Sequence, residues 1–504
     1  MELHAGRIND AIYNPHDILV NGQFFPITKN LEAALRRVRL PDLKRTLWID
    51  SVCINQGDIS EVNIQVQRIW AIYQHARRVL VFLGDEADDS RQAFVLSSQL
   101  SQVNDLDDVG QRITALLNDE NMETCWEALY QLLRRPWWSR AWTIQEYVVA
   151  KSVVFQCGSI ELDGEAFGKA LDVMVEYRFS SLVPARHLYL ARHVPPTPII
   201  ISLNTLYRFR ESNSFDARDK VYSLYRLIAE NPKLAPDYTK RVQDLFKDVV
   251  GAMIESSGTL EVLSHHSKSN QTSLPGLPTW CPDWTVMRGK RMLLWPNEYH
   301  STGPERNDPE PAFAQIDGGT LTLKGKLVQR IRWLKAFESD DLKDEKYIYN
   351  ESRAIETAAL RGAAHNLRME NESADHAATL DAFRRTLVAS RIRKTGANNI
   401  ATVLGPREAD ELWDAWCNQL EGNNGNTNQE TTSWYTEALY GALCGRAFFV
   451  FDGGQFGLVD ESAQAGDVVG VFLGARVLFF YLHGLMSGRA ISGSPDRLSD
   501  IELV

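Results

Sequence analysis

The run LWIDSVCINQGDISEVNIQVQRIWAIYQHARRVLVFLG, Leu47 to Gly84, decides the fold class. It opens with a short apolar segment, Leu47-Trp-Ile-Asp50, that reads as a buried strand ending in a carboxylate. From Glu61 to Arg78 the apolar residues Val62, Val66, Ile69, Tyr73 and Ala76 recur at steps of four and three. That spacing puts them on one face of a helix. Val79 to Leu83 is uninterrupted, apolar and closed by Gly84, as expected of a strand covered on both faces. Strand, helix and strand in so short a span predict a βαβ unit and hence a parallel sheet, because parallel neighbours need a crossover between them.

Moving towards the N-terminus, Asp17 to Thr28 reads as a strand pair folded about Asn21-Gly22, a strong hairpin signal. Asn30 to Arg39 reads as a helix with Asn30 as its N-cap. Towards the C-terminus, Glu123 to Arg135 and Trp138 to Ala150 read as helices broken at Pro136, followed by a strand at Val153 to Gln156 and a turn at Gly158. Residues 1–160 therefore read as an α/β domain with a mainly parallel sheet. Residues 161–343 read as a mostly helical region with a β-like end, Ala314 to Trp333, turning at Gly318-Gly319. Residues 344–433 read as a polar helical insertion closing in a disordered linker, Glu421 to Ser433. Residues 434–504 read as a small β-rich module, with strands at Phe448 to Phe451 and Val468 to Leu473 and turns at Gly453-Gly454 and Ala465 to Asp467.

Composition narrows the function class. The 504 residues are 44% hydrophobic and 24% charged, enough for a sizeable core, and the formal net charge is −11. An acidic chain without a Lys/Arg stripe disfavours nucleic-acid binding. The six cysteines are widely spaced, with no C-x-x-C pair, so they read as reduced thiols rather than zinc or redox sites. His265-His266 has no third ligand at a suitable spacing, and no metal site is expected. The N-terminal residues lack the shape of a signal peptide, and the longest apolar stretch, Val468 to Leu482, is interrupted by Arg476. The expectation is a protein of the cytoplasm with no membrane span. Phosphate-loop, dinucleotide-fingerprint, zinc-protease and nucleophile-elbow motifs are absent.

Two blocks carry a family resemblance. LWIDSVCINQGD (Leu47 to Asp58) with QVQRIWAIYQHARRVLVFLG (Gln65 to Gly84) is the first, and RPWWSRAWTIQEYVVA (Arg135 to Ala150) followed by Cys157-Gly158 is the second. In order and spacing they resemble the fungal heterokaryon-incompatibility (HET) domain. DARDKVYSL (Asp216 to Leu224), PDYT (Pro236 to Thr239), LPTWCPDW (Leu277 to Trp284) and Gly445 to Arg476 resemble the region that follows many such domains. The opening L-S-Y-x-W-G strand of the family has no counterpart before the hairpin, so a first strand is expected to be missing and a sheet edge left unpaired.

The resemblance implies a factor of vegetative incompatibility, in which non-self recognition triggers programmed cell death. It also implies a sheet like that of Toll/interleukin-receptor (TIR) domains, some of which cleave NAD with a helical glutamate. SRAWTIQE (Ser139 to Glu146) is similar to that setting, with Trp142 and Glu146 four apart. NAD enters as a substrate, and no bound cofactor is implied.

The residues themselves give Glu146 further interest. In a continuous helix Trp138, Trp142, Glu146 and Ala150 would share a face, and a carboxylate among tryptophans is desolvated, which raises its pKa. Two readings stand for it: a catalytic carboxylate, or a structural buried pair with Arg140, Arg135 or another cation. Asp50 would sit at the C-terminal end of a parallel strand, where open α/β sheets bind ligands. Asn55, Gln56, Arg140 and Trp142 are candidates to line the same crevice, with Asp58 beside them. For Asn55 and Asp58, capping of a loop or helix is favoured; for Asp50 both readings stand. Cys53 lacks a paired histidine nearby and reads as a buried structural thiol. Arg77-Arg78 reads as a helix end that complements the helix dipole rather than a phosphate site.

The alternative to an enzyme is a self-associating module that recruits protein partners, for which Trp137, Trp138 and Tyr147 would serve if exposed. An inactive, truncated family member is the third reading.

Overall fold

The structure is a computed structural model. It describes residues 2–3, 16–40, 42–103, 115–116, 118–176, 185, 187–188, 191–192, 200–228, 232–265, 274–286, 312–337, 342, 344–366, 372–389, 391–393, 401–404, 407–422, 429–452, 454–461, 463–473, 479–481 and 499–503. His266 and Arg476 lie outside the described residues. The chain divides into two units, Met1–Val249 and Val250–Val504. This division cuts through the region expected at 161–343.

In the first unit β1 (Glu2–Leu3) is followed by a hairpin of β2 (His16–Val20) and β3 (Gln23–Ile27). Asn21 and Gly22 have φ of 49° and 80°, the doubly left-handed geometry that the Asn-Gly pair accommodates at low cost. Helix α1 (Lys29–Val38) follows, and its N-cap is Thr28 rather than Asn30: the Thr28 hydroxyl accepts from Leu31 N at 3.2 Å. The next elements are the single turn α2 (Asp50–Cys53), α3 (Ile59–His75), β4 (Val79–Phe82), α4 (Ser90–Val103), α5 (Glu123–Leu133) and α6 (Thr143–Val148). Strands β5 (Val153–Cys157) and β6 (Ile160–Asp163) and helix α7 (Gly164–Glu176) complete the central layer. Strand order is β1-β4-β5-β6, with β1, β4 and β5 parallel and β6 antiparallel. The mainly parallel sheet expected from the pattern is present. All four residues of β4 are buried, as a strand covered on both faces requires.

Two sequence expectations fail here for identifiable reasons. Leu47 to Ile49 pairs with no strand among the described residues, so it does not form the first strand expected of the βαβ unit. Ile49 packs with Ile27 and Leu31, and Leu47 lies against the same cluster, so this apolar run is held by side chains of the hairpin and α1. A short apolar run alone does not distinguish the two outcomes. The edge of β4 is instead paired by β1, Glu2 opposite Leu80 and Leu3 opposite Val81. The expected helix from Trp138 to Ala150 is also interrupted. Pro136–Ser139 forms a 3-10 turn with proline at its start, and Arg140 is extended, with φ −79° and ψ 140°, because it bridges Asn213. Only Thr143–Val148 is α-helical.

The aromatic residues of this block are core, not surface. Trp137, Trp138 and Tyr147 are 0%, 3% and 2% exposed, which removes them as an association patch. Trp138 stacks on Phe155 of β5 and Phe167 of α7 at centroid separations of 5.2 and 5.4 Å, while Trp137 meets Trp138 edge-on at 4.8 Å. Arg135 staples the block to the strand ends. Its Nη1 donates to Leu83 O at 2.7 Å, Asp85 O at 3.0 Å and Cys157 Sγ at 3.0 Å, and its Nη2 donates to Ala87 O at 3.3 Å. Beside it Gly158 has φ +55°, and a Cβ there would lie 2.5 Å from Glu86 Cγ. Cys157 and Gly158 therefore mark a tight crossing of backbone and side chains.

The remaining elements of this unit are helical. They are α8 (Ile200–Phe209), the single turns α9 (Asp219–Tyr222) and α10 (Tyr225–Ile228), and α11 (Val242–Ser257), which runs past the unit boundary.

The second unit is an antiparallel sheet with a helical layer. β7 (Ala314–Asp317) and the 17-residue β8 (Thr320–Ala336) form a hairpin across Gly318-Gly319. Helices α12 (Glu345–Asn366) and α13 (Glu372–Leu387), the short pair β9 (Arg391–Arg393) and β10 (Ala401–Val403), and helices α14 (Glu408–Leu420) and α15 (Gln429–Leu443) follow. Strands β11 (Arg446–Phe451), β12 (Phe456–Asp460), β13 (Val468–Phe472), β14 (Phe479–Tyr481) and β15 (Ser499–Leu503) end the described chain. The order is β12-β11-β8-β13-β14, with β7 and β15 also on β8. The β-like segment before the insertion and the C-terminal strands thus share one sheet. The insertion is less polar inside than its sequence suggests: Ile348, Phe383, Trp413 and Trp416 form one buried cluster with Tyr435 and Leu439, which follow it. The supposed linker ends early, since α15 begins at Gln429 and Thr432 is buried.

Candidate functional site

Three segments distant in sequence meet around Glu146. Helix α3 is started by Asp58, whose carboxylate accepts from Ser60 N at 2.9 Å and Glu61 N at 3.2 Å. Its inner face carries Val66, Ile69 and Tyr73, and the Tyr73 ring meets Trp48 edge-on at 5.8 Å. The loop through Trp48 delivers Asp50 and Ser51 on α2, where Asp50 Oδ1 accepts from Ser51 N at 2.7 Å. From the other side come Arg140, fixed by its bridge to Asn213, and Glu146 on α6. Glu146 is 4% exposed and Tyr73 2%.

The electrostatics join these groups. Burial pushes the Glu146 carboxyl from 4.5 up to about 8; the Asp50 carboxylate adds to the rise, and the Arg140 guanidinium and a hydrogen bond from Tyr73 oppose it. Burial, together with Glu146 and Asp50, holds the Tyr73 phenol well above its ordinary value. Desolvation wins because the opposing cation is not in direct contact: Arg140 and Glu146 form no ion pair within 4.0 Å, and the buried atoms Glu146 Oε2, Arg140 Nη1 and Ser51 Oγ have no hydrogen-bond partner among the described residues. The buried-pair reading of Glu146 with Arg135 fails, since Arg135 is spent on backbone carbonyls and Cys157.

A buried carboxyl that is mostly protonated at neutral pH can donate or accept a proton near pH 8. Each unpartnered buried polar atom costs about 1–3 kcal/mol, so three such atoms, on Ser51, Arg140 and Glu146, make a costly arrangement for a purely structural core.

Of the sequence candidates, the structure brings together Asp50, Arg140 and Glu146. Asn55 and Gln56 are exposed, and Asn55 serves the loop: its Oδ1 accepts from Gly57 N at 3.1 Å and its N–H donates to Glu61 Oε1 at 3.1 Å. Trp142 donates its indole N–H to Asp219, a structural contact. Asp219 also accepts from Tyr238 Oη at 2.6 Å, and burial pushes its carboxyl from 3.8 up to about 6. Through Asp219 and Tyr238, the motifs at 216–224 and 236–239 hold the Trp142 segment. Asn63 of α3 joins the same support by accepting from Tyr238 N at 2.8 Å. Cys53 is exposed, which corrects the buried-thiol reading. Arg77 is exposed and Arg78 half-buried, just past the C-terminal end of α3.

Sequence reasoning missed Tyr73 and Ser51 as site residues. Tyr73 was visible only as one apolar step on the inner face of α3; its hydroxyl was the unused signal, because a buried Tyr O–H needs a partner.

Among the described residues no three His, Cys, Asp or Glu side chains are grouped to hold a metal, and no helix is long and apolar enough to cross a membrane.

No solved structure matches this chain. A curated relative is the Heterokaryon incompatibility protein 6, OR allele, of Neurospora crassa, 24% identical over 344 residues, covering 52% of this chain and 49% of the relative. The chain thus spans about half the length of the curated relative it matches. Residues 6–146 match the profile of the family described as Heterokaryon incompatibility protein (HET), and that match ends on the buried glutamate. The chain carries a fungal-type heterokaryon-incompatibility domain, and the Asp50–Tyr73–Arg140–Glu146 cluster lies inside it.

Proposed function

We propose that the chain acts in fungal heterokaryon incompatibility, in non-self recognition that ends in programmed cell death, and that its HET domain does so by TIR-like hydrolysis of NAD at Glu146. The observation that carries this reading is the convergence of Asp50, Tyr73, Arg140 and Glu146, with buried, unpartnered atoms on Arg140 and Glu146. Water would add to the ribosyl carbon as the bond to nicotinamide breaks. The products are ADP-ribose, nicotinamide and a proton. The ionised Glu146 carboxylate would face the positive charge that develops on the ribose, with Asp50 reinforcing it. Tyr73 would hold the carboxylate in place, and Arg140 would donate hydrogen bonds to the ribose or phosphate oxygens.

A second reading rests on one observation: Glu146 is closed over, at 4% exposure. A carboxyl that never opens suits a non-catalytic module that associates with itself or with protein partners. The exposed apolar pair Leu19 and Phe24, opposite each other in the hairpin, is then a better candidate contact than the buried tryptophans.

The deciding experiment is NAD turnover by the purified chain at high concentration with a crowding agent, beside Glu146→Ala and Glu146→Gln. Turnover that rises with pH towards about 8 and is lost in both variants supports the hydrolase. Folded, assembled protein with no turnover overturns it and leaves the association module or an inactive member.

A further inference from the structure

A cleft on the first unit lies between the Trp138–Ile144 segment and the end of α8. It is lined by Trp138, Ile144, Leu188 and Phe209 on its apolar side and by Ser139, His187, Arg208, Glu211 and Ser212 on its polar side. Its empty volume, open mouth included, is about 340 Å³.

Arg208 is the unusual member. It is half-buried, yet it has no hydrogen bond or ion pair with any described residue. Burial alone disfavours its charged form, with no acidic group offsetting the cost. Glu211 lines the cleft but is exposed and makes no ion pair with Arg208 within 4.0 Å. Arg208 stands in the last turn of α8, where the helix dipole favours a cation, but that gain is small and screened. Arginine stays protonated in proteins, so the charge cannot be relieved by deprotonation. Three other arginines of this unit are engaged: Arg135 by three carbonyls, Arg192 by Tyr147 O and Ala150 O, and Arg218 by Asp216. A desolvated guanidinium facing open space between apolar walls has the composition of a ligand site: few placed polar groups in a mostly apolar cleft.

We propose that this cleft binds a small amphipathic carboxylate, its head group on Arg208 with Ser139 and Ser212 beside it, and its short apolar body against Ile144, Leu188 and Phe209. The guanidinium fork matches a carboxylate in two parallel hydrogen bonds. The apolar walls select against a bare inorganic anion. The site is distinct from the Glu146 cluster and does not depend on any reaction there.

The test titrates the full-length chain with benzoate, with benzamide as its neutral counterpart and with inorganic phosphate as a charge without an apolar body. Binding is read by calorimetry and by the melting temperature of the first unit. Benzoate is expected to bind at least about tenfold more tightly than either control. Arg208→Met is expected to abolish that preference and to raise the melting temperature of the ligand-free chain, because it removes an unpaired charge and keeps the packing. Glu146→Gln is expected to leave benzoate binding unchanged. Equal binding of benzoate and benzamide, tighter binding of phosphate, or a ligand-free melting temperature lowered by Arg208→Met would each overturn the proposal.

Discussion

Replacing Glu146 by Gln tests the electrostatic account of the site directly. The substitution keeps shape and polarity and removes the titration. In the parent, burial raises the Glu146 carboxyl from 4.5 to about 8. The folded chain therefore holds a proton that the unfolded chain has released between those pH values, and stability must fall as pH rises through that window. At about 1.36 kcal/mol per pH unit, the 3.5 units amount to ~5 kcal/mol lost by pH 9. Asp219 contributes in the same direction, but its titration is over slightly above pH 6. Between about pH 6.5 and 9 the remaining Glu146 share is ~2 kcal/mol, a convenient window for denaturant unfolding of the first unit. The parent should lose that stability and Glu146→Gln should not, so the variant becomes the more stable protein at pH 9 while the two are within ~1 kcal/mol at pH 5. Parallel pH profiles for the two proteins would refute the reasoning. So would a variant less stable at every pH, since it would mean that an ionised Glu146 paired with Arg140 supports the fold.

Other substitutions probe the frame around the site. Gly158→Ala should destabilise the first unit by about 2–4 kcal/mol, because it combines a left-handed backbone with a Cβ 2.5 Å from Glu86 Cγ and 2.9 Å from Glu86 N; a melting temperature equal to the parent's would contradict that geometry. Trp137→Ala should cost about 3–5 kcal/mol as a fully buried core residue. If Trp137 were an association surface, the same variant would instead lose self-association while keeping its unfolding midpoint.

The elements legible in the sequence were those whose signal is local. The Asn21-Gly22 hairpin follows from the φ values that this pair tolerates, and α3 follows from its apolar spacing and the Asp58 cap. β4 follows from an apolar run too short for a helix and bounded by Gly84. Glu146 was recognisable as a desolvated carboxyl, although the helix face of tryptophans assumed for it is not there: only Thr143–Val148 is helical, and its neighbours are Tyr73, Asp50 and Arg140.

What the sequence could not decide was every outcome set by a partner far along the chain. Leu47 to Ile49 lost its strand because the hairpin and α1 bury it. The Trp138 helix broke because Asn213 pairs with Arg140. Asn55 and Arg140, both polar candidates, separated into a loop brace and a half-buried cation only when tertiary packing chose which face of each segment met α3. Sequence by itself determined the α/β class, the hairpin and the inner face of α3. Tertiary structure alone decided that Tyr73, Asp50 and Arg140 share Glu146's environment and that Arg208 stands without a counter-ion. The reason is physical: periodicity and capping act over a few residues, whereas desolvation and charge pairing depend on which distant segments exclude water from one another.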